Sequence, residues 1–483
     1  MDFIRVISWE GEIFLDNTEL NKVLNTGDVL VVAFGAMIGW GWVISSGQWI
    51  TNGGILGTVI GFIIGGIMIY FVGLCYAELT TALPKCGGEH VFSYKAFGSV
   101  GSYICTWSVI LSYIGVVCYE VVSFPTILQY LFPNIAKGYL YTIGGFDIYL
   151  TWLLIAIVMA ILILFLNIVG TKKAARFQKI LTCIIAGVGI ILVAGSAFSG
   201  SIKNFQEQMF VGESNGQIAE NIIKVAIMTP FFFFGFDVIP QAAEEISVPL
   251  KKLGKLMIFS IVMAVSFYVM VVFSVGFIMN AEQIANSMST TGLVTADAMA
   301  IAFKSSNMAK VLIIGGLCGI ITSWNSFLIG GSRALYSMAV AYMLPRRFSV
   351  LHKKYNTPVN ALILIGILSI ISPFFGRSML VWIVDAGNFA CCLTYCIVSM
   401  SFLMLRKKAS NLKRPYKVKN YRVVGLIAVI MSGMMVAMYI IPGTNCTLVW
   451  QEWSIVGGWC LLGGIMAFLS KRRYGDDFAS HVE

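Results

Sequence analysis

The chain has 483 residues, of which 58% are hydrophobic and only 12% charged, with a mean hydropathy of +0.84. That composition lies far outside the range of water-soluble domains and excludes a soluble enzyme or nucleic-acid-binding module. The net charge of +10 is a topology signal: if the N-terminus is cytoplasmic, 27 of the 33 lysines and arginines fall on the inner side, which obeys the positive-inside rule.

Crossing a bilayer as helix takes about 20 apolar residues. Twelve such runs are counted, at roughly 28–50, 54–77, 100–132, 149–169, 179–199, 221–243, 255–279, 309–340, 359–376, 379–405, 423–441 and 448–469. An even number leaves both termini in the cytoplasm of a multi-pass protein of the plasma membrane. Residues 1–27 are mixed and charged, so they read as a cytoplasmic segment and not a cleavable leader. The eleven cysteines are scattered without a CxxC pair, and His90, His352 and His481 all lie outside the spans. They predict no zinc or haem site and no resident cofactor.

In chain order, the first run holds "FGAMIGWGW" (34–42), with three glycines that each cost roughly 1 kcal/mol in a helix interior. Gly35 and Gly39 share a face and suit a packing seam, but Gly41 lies off it. Span two carries Gly57, Gly61 and Gly65 on one face, the small-residue seam of membrane helices. "AELTTALPKCGGEHVFSYKAFG" (77–98) reads as a bent cytoplasmic connection. Span three holds Glu120, with Tyr113 and Val117 on the same helical face. Span six places Pro230, Gly235, Asp237 and Pro240 within eleven residues. An intramembrane acid beside two helix breakers predicts a discontinuous helix. Residues 281–308 suggest one or two surface helices on the outer face, Arg333 an anchor on the basic side, and Glu244 and Glu245 a gate or cap. Asp385 is expected to face outside or the vestibule, and Asn445-Cys446-Thr447 is a formal glycosylation sequon in an outer loop.

The two interrupted spans are the first and the sixth. A spacing of five predicts two five-helix repeats in inverted orientation, spanning 28–200 and 201–405, followed by 406–470 with a basic loop and two further spans, and a tail at 471–483. Interrupted backbone at midplane depth is tolerated where it lines a cavity, and its free amides and carbonyls suit a zwitterion.

Five motifs in order, "GAMIGWG", "YAELTTALPKCGGEHVFSYKAFG", "FFFFGFDVIPQAAEE", "GGSRALYSMAVAYMLP" and "RPYKVK", resemble the amino acid, polyamine and organocation transporter superfamily. The form of span six resembles its cationic amino acid and ethanolamine permease branches. The resemblance implies an all-α leucine-transporter-type fold of twelve transmembrane helices, with helices 1 and 6 broken. It also implies a secondary active transporter of an amino acid or small amine working by alternating access. It places the substrate carboxylate on the amides of Gly39, Trp40 and Gly41, and the ammonium on carbonyls of Met37, Phe231, Phe232 and Phe234. Trp40 stands where relatives often have serine or threonine, which bears on how large a substrate fits.

Asp237 has two readings, a cap on the second half of span six or, as in relatives, a gating or proton-coupling acid. Glu120 is either a buried acid bonded to a neighbouring helix or the partner of a positive group on the substrate. For coupling, relatives carry a lysine in span five where this chain has Ile185. Thr322 and Ser323, with carbonyls of Gly35 and Ile38, occupy the place where sodium-coupled cousins bind their second sodium. The same Thr-Ser pair would also serve simply to bend a helix. Sodium, protons and exchange therefore all stay open. The expected partners are a small-molecule substrate and membrane lipid, without nucleic acid, and the chain is expected to be a monomer. The alternatives from other classes are a selective channel, which would need a continuous pore with polar rings, and a non-transporting sensor on the same fold.

Overall fold

The computed structural model describes residues 20–443 and 446–482, the side chains of 377–379 excepted; Asn445 of the sequon lies outside them. The first apolar run is not one helix but three: α1 (Thr26–Met37), α2 (Gly41–Ile44) and α3 (Ser46–Gly53). Asn25 starts α1 by accepting the Gly27 and Asp28 amides, while Asp28 returns a carboxylate to the Asn25 amide at 3.0 Å. Long helices follow as α4 (Ile55–Ala82), α5 (Glu89–Leu131), α6 (Leu150–Ile168) and α7 (Thr171–Ser199). After the short α8 (Ile202–Glu207), span six is divided into α9 (Asn215–Met228), a 3-10 turn (Thr229–Phe233) and α10 (Val238–Gln241). The chain continues through α11 (Leu250–Ile278), α12 (Ala281–Thr290), α13 (Val294–Phe303) and α14 (Ser306–Val340). It closes with α15 (Val359–Ile371), α16 (Gly376–Lys408), α17 (Tyr421–Ile440) and α18 (Trp450–Tyr474). A small antiparallel hairpin, β1 (Tyr139–Ile143) and β2 (Phe146–Tyr149), which the hydropathy pattern did not suggest, links α5 to α6.

Ten helices among the described residues are long and apolar enough to cross a membrane, so this is a multi-pass membrane protein. The other two of the twelve expected runs, 28–50 and 359–376, fall short as single helices. Glycines 39 and 41 interrupt the former, and Pro373 tightens the end of the latter into a 3-10 turn. Burial separates interior from periphery: 89% of the apolar window of α14 is buried inside the protein, against 11% for α18. α5 packs along α14 and α16. The seam of Gly57, Gly61 and Gly65 faces Ile222, Val225 and Thr229 of span six, where added methyl groups would collide. α18 is clasped to α5 by Trp107 and Trp459, which stack at 4.4 Å while each indole N–H donates to the other's backbone carbonyl at 2.8 Å.

Three expectations are corrected. The 77–98 connection is bent as expected, with a kink at Gly98 (φ +77°) inside α5, but only 83–88 is loop, because its polar residues find partners inside: Glu89 accepts from Gln241 at 2.5 Å, and His90 Nδ1 meets Ser102 at 2.8 Å. Of the two helices in 281–308, α13 is not a surface helix; its Thr295 is buried and donates to the Trp42 carbonyl at 2.7 Å. Arg333 is no interfacial anchor but fully buried, donating to Glu245 at 2.7 Å and to Thr171 at 2.7 Å.

Candidate substrate site

α1 ends at Met37, and the amides of Gly39, Trp40 and Gly41 have no hydrogen-bond acceptor among the described residues. α9 ends at Met228 because Pro230 has no N–H to offer. The backbone then passes through an extended Phe234 and through Gly235 at φ +127°, a conformation that favours glycine. These two irregular stretches touch. A methyl group on Gly235 would lie 2.5 Å from Ala36 Cβ and 2.8 Å from the Ala36 carbonyl carbon.

Beside this contact is a cavity of about 240 Å³. Of the residues expected to bind substrate, Met37, Gly39, Trp40, Gly41, Glu120, Phe231, Phe232 and Phe234 line it. Asp237 does not. It is fully buried behind the wall, where its carboxylate accepts from Tyr113 at 2.6 Å, Tyr395 at 3.0 Å and the Gly235 amide at 2.9 Å. It therefore fixes the bend of span six from within and does not cap α10 with its side chain. Tyr113, on the expected cavity face of α5, points to that acid, while Val116, Tyr119 and Glu120 line the cavity.

The Met37 carbonyl already accepts the Tyr268 hydroxyl at 2.9 Å. The Phe232 ring lies over Gly41, 2.5 Å from where a methyl would stand. Trp40 does not project into the middle of the cavity; its indole seats against Gly316 of α14, the one side chain size that leaves it room. Glu120 is 5% exposed, and its Oε2 has no hydrogen-bond partner. Its Oε1 lies 3.2 Å from a methyl position on Gly39, which brings the acid to the irregular turn itself.

The sodium-site candidates are brought together, unlike Asp237: Thr322 Cβ lies 3.0 Å from a methyl position on Gly35, and the carbonyls of Ile38 and Gly39 approach Gly319. The Thr322 hydroxyl is engaged with the Gly319 carbonyl at 2.9 Å, and Ser323 stands on the cavity wall. Ile185 stands where relatives carry a lysine, so no ammonium comes from span five at that position. The structure brings Gln178 of that helix to the site, its amide nitrogen 2.8 Å from a methyl position on Gly35 and bonded to Ser326 at 2.6 Å. Gln178 lies two turns before Ile185 in the basic stretch that opens the span, where nothing in the sequence sets it apart.

Two larger cavities flank the site. One of about 360 Å³ shares Phe231, Phe232, Phe234 and Asp385 with it, so Asp385 stands on the vestibule wall as expected. The other, of about 830 Å³ among Lys22, Lys85, His90 and Arg346, lies toward the basic loops. Between it and the site, Glu245 holds Arg333 through its side chain and the amides of Val23 and Leu24, at 2.8 and 2.9 Å, through its carbonyl.

A many-helix membrane protein with a small enclosed cavity between two facing helix interruptions has the build of a permease. The chain belongs to the amino acid permease family, whose sequence model matches residues 24–466. It is 25% identical to the branched-chain amino acid permease BcaP of Bacillus subtilis (strain 168) and 23% identical to the methylthioribose transporter of the same organism, with 94% of each chain covered in both cases. It is also 25% identical to the aspartate-proton symporter of that organism, over 93% of this chain and 82% of the relative. The chain is therefore similar to transporters, not enzymes.

Proposed function

We propose that this protein is a secondary transporter that carries a small amino acid or amine across the plasma membrane by alternating access. The observation that carries this reading is the backbone contact of Gly235 with Ala36, which makes both helix interruptions walls of one cavity. In this reading residues 28–200 and 201–405 are inverted halves of a twelve-span, leucine-transporter-type fold, and both termini are cytoplasmic. The Arg333–Glu245 pair and the Val23–Leu24 segment close the route toward the basic loops. On the other side the phenylalanines of span six, with Asp385, separate cavity from vestibule. Closing those rings while the buried ion pair opens exchanges access.

The relatives' substrates differ in charge and size by their names, so the choice of substrate comes from this chain's own cavity. Coupling to an ion gradient or to exchange is part of the proposal. Sodium at Gly35, Ile38, Thr322 and Ser323 would have to draw Thr322 from Gly319, and Ser323, which shares the cavity wall with Glu120, would link ion to substrate. Proteoliposomes loaded with unlabelled substrate should take up the labelled form by counterflow, and an imposed sodium or proton gradient should drive accumulation. Single-channel currents without saturable counterflow would defeat the transporter reading.

A further inference from the structure

We propose that the cavity is built for a compact organic amine that carries no carboxylate, with Glu120 supplying the anion that pairs with its ammonium. This deepens the transport reading and rests on it for movement of the ligand, not for its binding.

The first ground is charge. Among the described residues, the cavity wall has two acids, Glu120 and Asp385, and no lysine, arginine or histidine. Asp385 stands at the vestibule end, on the wall shared with the neighbouring cavity. Glu120 is deep, and its Oε2 is left without a donor. A buried carboxylate oxygen in that state is costly and is matched by an N–H donor from a ligand. The other oxygen of Glu120, Oε1, lies 3.2 Å from a methyl position on Gly39, which sets the carboxylate against the irregular turn.

The second ground is position. Glu120 Oε1 lies beside Gly39, at the turn whose free amides would otherwise receive a substrate carboxylate. An amino acid bound there would set its carboxylate against that of Glu120 in a low-dielectric site, with no basic side chain to offset the repulsion. An amine without a carboxylate avoids this conflict, and a hydroxyl in place of the carboxylate can accept from the same amides. A dibasic amino acid solves only half the problem, because its second ammonium meets Glu120 while its carboxylate still needs a place.

The third ground is the wall. Trp40, Tyr119, Phe232 and Tyr268 present aromatic surface around the acid, which favours an organic cation. The 240 Å³ available is below the usual range for drug-sized ligands, roughly 300–1,000 Å³.

Binding of ethanolamine, propylamine, alanine and lysine to the purified full-length protein tests the proposal. Wild-type protein should bind ethanolamine at least tenfold more tightly than alanine or lysine. Glu120→Gln should weaken ethanolamine at least tenfold while leaving alanine unchanged or tighter. Alanine or lysine binding as tightly as ethanolamine, absence of both amines' binding at millimolar concentration, or an unchanged amine affinity in Glu120→Gln each overturns it. If the variant does not fold, the wild-type ranking decides. Amine binding without counterflow would defeat the transport reading and leave this one standing; alanine counterflow without amine binding would do the reverse.

Discussion

The two helix interruptions meet backbone to backbone, yet they are secured in opposite ways. Around span six, Asp237 takes three hydrogen bonds from Tyr113, Tyr395 and Gly235, and the glycine is locked against Ala36. Around span one, the amides of Gly39, Trp40 and Gly41 are unclaimed, and Glu120 beside them keeps an oxygen free. Unsatisfied polar groups at membrane depth are costly wherever protein or water does not claim them. The two acids differ most: Asp237 is fully engaged in holding the bend, while Glu120 keeps an oxygen open, which divides a half that holds shape from a half left open for chemistry. The acid expected to work at the site, Asp237, is the structural one.

That division can be attacked at several points. The largest effect is expected from Gly235→Ala, which adds a methyl 2.5 Å from Ala36 at φ +127° and should cost about 3 kcal/mol or more through strain and collision. Fluorescence-detected gel filtration should show little monodisperse protein; a normal peak would mean that the contact does not hold the fold. Arg333→Ala should come close behind, since breaking a buried pair costs roughly 3–5 kcal/mol. Adding Glu245→Ala should then restore part of the melting temperature, and strict additivity would argue against coupling. Tyr395→Phe, which takes one donor from Asp237, should lower stability by about 1–2 kcal/mol and leave ligand affinity nearly intact. The smallest stability change, under about 1 kcal/mol, is expected at Gly41→Ala, where the Phe232 ring can swing aside. That same variant should lose most of its uptake, and if its stability suffers more than its transport, the proposed division is wrong.

Much of this was legible in the sequence for identifiable reasons. Apolar run length gives the helices, glycines four apart give a packing seam on span two, and the helix breakers give both interruptions. Glu120 stood out because an acid in a long apolar run requires a partner. What could not be read was which neighbour each side chain meets. Helical spacing put Tyr113 and Glu120 on one face, but α14 and α16 decide that the tyrosine serves Asp237 and the glutamate the cavity. Trp40 looked like an obstruction because nothing local announces that Gly316, hundreds of residues later, provides its seat. Arg333 followed the rule for basic residues at helix ends until Glu245 and Thr171, from two other segments, supplied a buried place for it.

The tryptophan clasp between α5 and α18 bears on how such a protein can move. α18 is the least buried of the ten spanning helices among the described residues, and through Trp107 and Trp459 it is riveted to the helix that carries Glu120. A rigid-body motion of α5 would have to carry that outer helix with it. In the proposed transport cycle this favours α5 as stator, with α1 and span six as the parts that would turn, and the acid of the cavity would keep a fixed address in the membrane.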